Sequence, residues 1–238
     1  MSETFLDGRV RVTQPQTGFR SGLDAVMLAA SVPAKAGERA LELGAGAGTA
    51  SLCLAARVDG ISVTGVEIDP DLVELAMTNA DANGSDCRFV TADIFRLPQE
   101  LKRDFDHVFC NPPFHGEGQA TPDPARMVAL SDGGKLSDWL RLGLQRTVSG
   151  GFFTTILRAD RLAEALSALP TEGASVLPLW PRIGEPAKRV ILQVRKASRA
   201  PFALLPGLVL HREDGTSTPE AEAVLRRGAA LALQGTRL

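Results

Sequence analysis

An amide, two prolines and an aromatic ring stand together at Asn111-Pro112-Pro113-Phe114, directly after a predicted strand. The Asn111 side-chain oxygen and the Pro112 carbonyl can each accept one N–H of a planar amino group, which favours pyramidalisation of a poorly nucleophilic nitrogen. Proline rings fix the direction of that carbonyl before binding, and Phe114 can stack on a flat substrate. The stretch fits group transfer to a conjugated amine; its alternative interpretation is a rigid turn.

The glycines of Glu42-Leu43-Gly44-Ala45-Gly46-Ala47-Gly48 lie at a predicted strand-to-helix turn, where they could let a ligand approach the backbone. Glycine has no Cβ, and the N-terminus of the following helix offers free N–H groups. The dinucleotide fingerprint requires a further glycine at the position that Thr49 occupies, so a nicotinamide or flavin site is disfavoured. A glycine-rich turn also occurs for purely structural reasons.

Two carboxylates follow the next predicted strands. Glu67 ends the second strand and could accept hydrogen bonds from both hydroxyls of a ribose. Asp93 follows the third strand and could accept a hydrogen bond from an adenine amino group. The competing interpretation of each residue is a helix cap or a solvated surface charge. Their shared position after strands favours a single nucleoside-binding cleft.

The elements that must position these residues alternate between short β patterns and helical patterns. Strands that alternate with helices form a mostly parallel sheet covered on both faces, and ligands bind beyond the carboxyl ends of such strands. The sequence thus predicts a doubly wound α/β fold with every motif at one edge. The predicted strands are 40–43, 61–67, 87–91, 106–110, 150–157 and 189–195, and the predicted helices are 25–32, 49–57, 71–82, 136–148 and 161–169.

The order and spacing of these motifs over about residues 37–157 resemble those of the Rossmann-like, S-adenosylmethionine-dependent methyltransferases. Asn-Pro-Pro-[Phe/Tyr] is typical of members that methylate exocyclic amines of adenine or guanine, or glutamine amides. The resemblance implies that Asn111, Pro112, Pro113 and Phe114 form the catalytic motif and that S-adenosylmethionine is the cofactor. The implied cofactor-binding residues are Arg20, Asp24, Glu42, Gly44, Gly46, Gly48, Glu67, Ile68, Asp93, Ile94 and Asn111.

The flanking segments narrow the resemblance to bacterial tRNA adenine-N6 methyltransferases that act on valine tRNA. The matching segments are 18–29, 186–190, 206–211 and 218–220. This resemblance implies that Arg20 and Asp24 close over the cofactor. Phe114 stands where relatives often have tyrosine, so stacking is retained and a hydroxyl contact is lost. The short N-terminal segment lacks the helical substrate domain of release-factor glutamine methyltransferases.

Length and composition fit one globular domain. The chain has 238 residues, of which 44% are hydrophobic and 23% charged, which excludes a disordered chain, a coiled coil and a collagen-like repeat. No apolar run reaches the roughly 18 residues that span a bilayer, and the polar N-terminus predicts a cytoplasmic protein. Three scattered cysteines favour neither a disulfide framework nor a metal site.

The charge is unevenly distributed along the chain. Acidic side chains outnumber basic ones over residues 1–119, and the reverse holds over 120–238. A basic segment at 182–199 includes Lys188 and Arg189, and it could hold a polyanion such as RNA. A solvated strand and loop would explain the same charges equally well.

We therefore expect a single methyltransferase domain with adenine N6 in tRNA as its target. Within it, 1–36 would close over the cofactor, 37–157 would form the cofactor-binding core, and 158–238 would complete the sheet and carry the basic segment. The alternatives are a glutamine-amide or guanine-N2 methyltransferase and, from another class, a non-catalytic nucleotide- or RNA-binding module. An intact Asn-Pro-Pro-Phe motif argues against the last, because binding alone does not require that geometry.

Overall fold

A computed structural model describes residues 2–15, 20–102, 104–113 and 136–233 of the chain. The strands in these residues are β1 (Ser2–Phe5), β2 (Val10–Thr13), β3 (Arg39–Leu43), β4 (Ser62–Glu67), β5 (Arg88–Thr91), β6 (Phe105–Cys110), β7 (Thr147–Arg158), β8 (Ala174–Trp180), β9 (Arg189–Arg195), β10 (Ala203–Leu204) and β11 (Leu208–Val209). The helices are α1 (Leu23–Ser31), α2 (Thr49–Arg57), α3 (Pro70–Ala82), α4 (Leu136–Arg146), α5 (Leu162–Ala168) and α6 (Pro219–Leu225).

A mixed sheet of nine strands forms the centre of the molecule, in the order β10-β8-β9-β7-β6-β3-β4-β5 with β11 also beside β8. Strands β3 to β7 run parallel to one another, and β9 lies antiparallel between β7 and β8. This arrangement confirms the predicted α/β fold. The carboxyl ends of β3, β4, β5 and β6 consequently meet at one edge of the sheet.

Helices cover both faces of this sheet, as the predicted fold requires. Side chains of α1, α2, α3 and α6 share one buried apolar cluster, which includes Leu28, Leu52 and Val73. Side chains of α4 and α5 belong to a second cluster, which includes Leu140 and Ala165. No helix in the described part of the chain is long and apolar enough to cross a membrane.

The predicted helix 71–82 is present as α3, which begins one residue earlier, at Pro70. Asp69 accepts a hydrogen bond from the Asp71 amide at 3.0 Å, and Pro70 occupies the first helical position, where its missing N–H is not needed. The helix ends at Ala82, and Gly84 beyond it has a φ of 58°.

The predicted helix 136–148 is too long, because the chain enters β7 at Thr147 instead. β7 begins with two β-branched residues and continues through a register shift opposite β6. Gly150 has a φ of 82°, and a Cβ on Gly151 would lie 2.5 Å from the Asp106 carbonyl. These glycines allow an irregular strand where the sequence suggested a helix end followed by a turn.

The β1–β2 hairpin, β8, β10, β11 and α6 were not predicted. The hairpin strands are four residues each, and their turn places Leu6 and Asp7 at positive φ values of 51° and 57°. β8 contains Pro178, which pairs in register with Val190 of β9. Proline is disfavoured inside sheets, so the sequence of β8 does not indicate an interior strand.

Candidate active site

The predicted functional residues gather at the carboxyl edge of β3, β4 and β6. Leu43 at the end of β3 pairs with Val66 on one side and with Cys110 on the other. Gly44 and Asn111 directly follow β3 and β6, and Glu67 is the last residue of β4. The three residues therefore lie at the ends of neighbouring strands. The sheet thus brings the three separate sequence motifs to one place.

The glycine-rich loop contains two kinds of glycine. Gly44, Gly46 and Gly48 all have positive φ values, of 71°, 55° and 84°. A Cβ on Gly44 would lie 2.9 Å from the Trp139 ring, and one on Gly48 would lie 2.7 Å from the Phe89 ring, whereas one on Gly46 would meet nothing within 4 Å. The absent Cβ atoms of Gly44 and Gly48 therefore permit internal packing, and Gly46 faces the open space that a ligand needs.

Glu67 is fixed beside this loop by three backbone amides. One carboxylate oxygen accepts from the Gly46 N–H at 2.9 Å, and the other accepts from Ile68 at 2.8 Å and Asp69 at 3.1 Å. A carboxylate oxygen has room for two hydrogen bonds, so the oxygen bonded to Gly46 can also accept from a ligand hydroxyl. The geometry fits the predicted ribose contact.

The rim next to Glu67 carries exposed apolar side chains. Ile68 is 54% exposed and Phe95 is 40% exposed, whereas Ile94 is 6% exposed and belongs to the core. An apolar contact to a nucleobase at this rim is therefore available from Ile68 and Phe95, while the Ile94 side chain points into the protein. Asp93 accepts from the Phe95 amide at 2.8 Å, as an N-cap would.

Phe95 and Trp139 are aromatic residues of this region that the sequence motifs do not indicate. Their rings meet edge to face with centroids 6.5 Å apart. Trp139 is buried and also lies under Gly44. The only sequence signal was an aromatic residue two positions after Asp93, because the contact with Trp139 crosses between distant segments.

Glu42 is a buried residue of the fold and was predicted as a cofactor ligand. It is 3% exposed, and one carboxyl oxygen accepts from the Ser51 amide at 3.0 Å and from the Ser51 hydroxyl at 2.5 Å. That amide belongs to the first turn of α2, where intrahelical partners are missing. Burial raises the pKa of Glu42 to about 8, against the lowering effect of the Ser51 hydrogen bonds. The hydrogen bonds between Glu42 and Ser51 therefore connect β3 to α2.

Asn111 presents an acceptor without a partner. Its side-chain oxygen is buried and forms no hydrogen bond within the described residues. An unsatisfied buried acceptor is unfavourable, so this oxygen is available to accept a hydrogen bond from a ligand group. Pro112 is buried and Pro113 exposed. Phe114, the predicted stacking residue, lies outside the described residues.

Arg20 and Asp24, predicted to close over the cofactor, are engaged in ion pairs. Arg20 pairs with Glu3 of β1. Asp24 at the start of α1 accepts from the Arg189 side chain at 2.9 Å. The structure thus joins a residue predicted to bind the cofactor to one predicted to bind RNA, across 165 residues of sequence.

The basic segment 182–199 does not form one surface. β9 runs from the carboxyl edge of the sheet to the opposite edge, about 20 Å for a strand of this length. Arg182, Lys188 and Arg189 therefore lie at the edge that carries Asn111. The remaining basic residues, Arg195, Lys196 and Arg199, lie at the other edge, where Lys196 donates to the carbonyls of Gln145 and Thr147.

The cysteines are poor candidates for nucleophiles. Burial raises the pKa of Cys53 and Cys110 to about 12 and that of Cys87 to about 11. A thiol with such a pKa is protonated near neutral pH, and the thiolate is the reactive form.

Comparison with known proteins identifies the family. Residues 21–136 match the family model described as methyltransferase small domain. Over 186 residues the chain is 31% identical to a tRNA1(Val) (adenine(37)-N6)-methyltransferase from Cronobacter sakazakii, with 75% of this chain and 74% of the relative covered. The chain belongs to this methyltransferase family.

Two further similarities extend over nearly the whole methyltransferase. A tRNA1(Val) (adenine(37)-N6)-methyltransferase from Yersinia enterocolitica is 26% identical over 223 residues, which cover 90% of this chain and 87% of the relative. The crystal structure of a "predicted O-methyltransferase" from Agrobacterium tumefaciens gives a TM-score of 0.72 at 27% identity, covering 87% of this chain and 98% of that one. The predicted S-adenosylmethionine-dependent methyltransferase is confirmed.

Proposed function

We propose that this methyltransferase transfers a methyl group from S-adenosylmethionine to N6 of an adenine in tRNA, and that it works in the cytoplasm. The observation that carries the proposal is the buried Asn111 oxygen at the carboxyl end of β6, which forms no hydrogen bond with any residue that the structure describes. It lies one strand away from the glycine-rich loop. The names of the two relatives, both tRNA adenine-N6 methyltransferases, support the same substrate.

The cofactor, when bound, supplies a methyl group on a sulfonium centre. Residues of the chain prepare the acceptor nitrogen: Asn111 accepts one N–H of the amine and the Pro112 carbonyl accepts the other. These two bonds pull the nitrogen away from planarity and direct its lone pair out of the ring. As the nitrogen becomes positively charged, the two oxygens stabilise that charge through the same bonds, without any rearrangement.

The RNA would approach along the carboxyl edge, beyond β8 and β9. Arg182 and Lys188 are exposed there, and Ile183 between them is 86% exposed. An open groove of about 460 Å³ lies beside these residues and is lined in part by Trp180 and Pro186. We assign phosphate contacts to the cations and base contacts to the apolar groove, because unpaired loop nucleotides offer both. Arg189, held by Asp24, would border this surface.

The experiment is to incubate the protein with bulk tRNA and labelled S-adenosylmethionine and to analyse the nucleosides. N6-methyladenosine is the expected product. N2-methylguanosine as the product would show that the target is guanine, and label in protein would show that it is a glutamine amide. No label in either would favour a non-catalytic binding module.

The variant Asn111→Ala tests the catalytic assignment in the same assay. Loss of a positioning contact at the reacting atom lowers turnover by about 10² or more. Cofactor affinity should stay within a few-fold, because Asn111 would touch the amine. Activity above about a tenth of wild type would refute the role given to Asn111.

A further inference from the structure

Two asparagines, Asn79 of α3 and Asn83 directly after its last residue, hold the N-terminal hairpin by its backbone. Asn83 accepts from the Arg11 amide at 2.8 Å and donates to the Arg11 carbonyl at 2.6 Å. One helical turn earlier, Asn79 accepts from the Thr13 amide at 2.8 Å and donates to the Thr13 carbonyl at 2.9 Å. The two amide side chains thus act towards β2 as a neighbouring strand would.

Asn79 makes one contact that Asn83 does not make. Its second N–H donates to the carbonyl of Ala47, inside the glycine-rich loop, at 3.0 Å. Asn79 is 2% exposed, and these three bonds use both of its N–H groups and its oxygen. The remaining N–H of Asn83 goes to the carbonyl of Asn79, within α3 itself. Of the two asparagines, it is therefore Asn79 that joins the hairpin to the loop.

The bond to Ala47 acts on the part of the loop that faces the cofactor. The Gly46 amide is held by Glu67, and the Gly48 amide donates to the Ala45 carbonyl at 2.9 Å. The Ala47 carbonyl belongs to the same peptide as the Gly48 amide. With this carbonyl bound to Asn79 and the Gly46 amide bound to Glu67, the peptides that precede Gly46 and follow Ala47 both have a fixed direction.

We propose that Asn79 is a positioning residue for the cofactor, which couples docking of the N-terminal hairpin to the conformation of the glycine-rich loop. The hairpin is then part of the cofactor site, although it belongs to a separate two-stranded sheet. Because coupling between two sites is reciprocal, an intact hairpin favours cofactor binding and a bound cofactor holds the hairpin in place.

The variants Asn79→Ala and Asn83→Ala form a matched pair for the test. Each loses two backbone hydrogen bonds to β2, so both are expected to lower the melting temperature by a similar amount. Only Asn79→Ala also loses the loop contact, and it should raise the dissociation constant of S-adenosylhomocysteine, measured by calorimetry, about three- to tenfold. In turnover, its KM for S-adenosylmethionine should rise while kcat at saturating cofactor stays near wild type.

Equal effects of the two variants on cofactor affinity, or no effect of either, would overturn the proposal. Hydrogen exchange on the wild-type protein gives a second test that does not depend on a variant folding. S-adenosylhomocysteine at saturation should slow exchange of the Thr13 amide, bonded to Asn79, more than that of the Arg11 amide, bonded to Asn83. An unchanged Thr13 exchange rate would equally overturn it.

Discussion

Replacement of Glu42 by glutamine should change how the stability of this protein depends on pH. The unfolded chain releases the Glu42 proton near pH 4.5, whereas the folded protein keeps it until about pH 8. Between these values the unfolded state binds fewer protons than the folded state, so the free energy of unfolding falls as the pH rises. One pKa unit corresponds to about 1.4 kcal/mol, which makes the total loss roughly 5 kcal/mol by pH 8.

Glutamine keeps the acceptor for Ser51 and cannot ionise, so this loss is absent from Glu42→Gln. Its unpaired amide N–H makes the variant less stable at pH 5, by about 1–3 kcal/mol. Because wild type loses about 1.4 kcal/mol per pH unit over this range, the order should reverse between about pH 6 and pH 7, and by pH 8 the variant should be more stable by about 1–3 kcal/mol. The crossing of the two stability curves is the expected result.

Urea unfolding at 25 °C, followed at intervals from pH 5 to pH 9, measures both curves. Glu100→Gln is the control, because Glu100 is an exposed carboxylate and its loss should leave the pH dependence unchanged. Parallel curves for wild type and Glu42→Gln would refute the reasoning, since they would show that the folded protein ionises Glu42 as readily as the unfolded chain does.

Three further predictions test the cofactor site and the RNA surface. Glu67→Ala should raise the dissociation constant of S-adenosylmethionine ten- to hundredfold, because a charge-assisted acceptor contributes about 1.5–3 kcal/mol; unchanged affinity by calorimetry would place the cofactor elsewhere. Gly46→Ala should weaken cofactor binding more than Gly48→Ala does. Gly48→Ala should lower the melting temperature more than Gly46→Ala does, because its Cβ would meet Phe89. If one variant had the larger effect in both assays, this division would be contradicted. Lys188→Glu with Arg182→Glu should weaken tRNA binding and flatten its log–log salt slope by roughly 1 to 1.5 units at about 0.7 per phosphate contact, and an unaltered slope would remove these residues from the RNA surface.

The sequence by itself determined the order of the core elements and the places of the chemical motifs. Capping residues, glycines and the spacing of apolar residues are local signals, so the strand 189–195 could be predicted with correct bounds and the helix after Asp69 to within one residue. The Asn-Pro-Pro stretch and Glu67 also follow strands in the structure, as predicted. Such assignments depend only on neighbours in the chain.

The tertiary structure decided which partners these residues meet. Asp24 pairs with Arg189, and Asn79 contacts both Thr13 and Ala47, through folding of segments far apart in sequence. Glu42 is buried and accepts a hydrogen bond from the Ser51 amide in the first turn of α2 for the same reason.

The two ends of the basic segment were separated because a strand carries its termini to opposite edges of a sheet. Aromatic rings pack against Gly44 and Gly48, whereas the space beside Gly46 is open. Burial, ion pairing and access depend on strand order and helix packing, and no local pattern in the sequence encodes them.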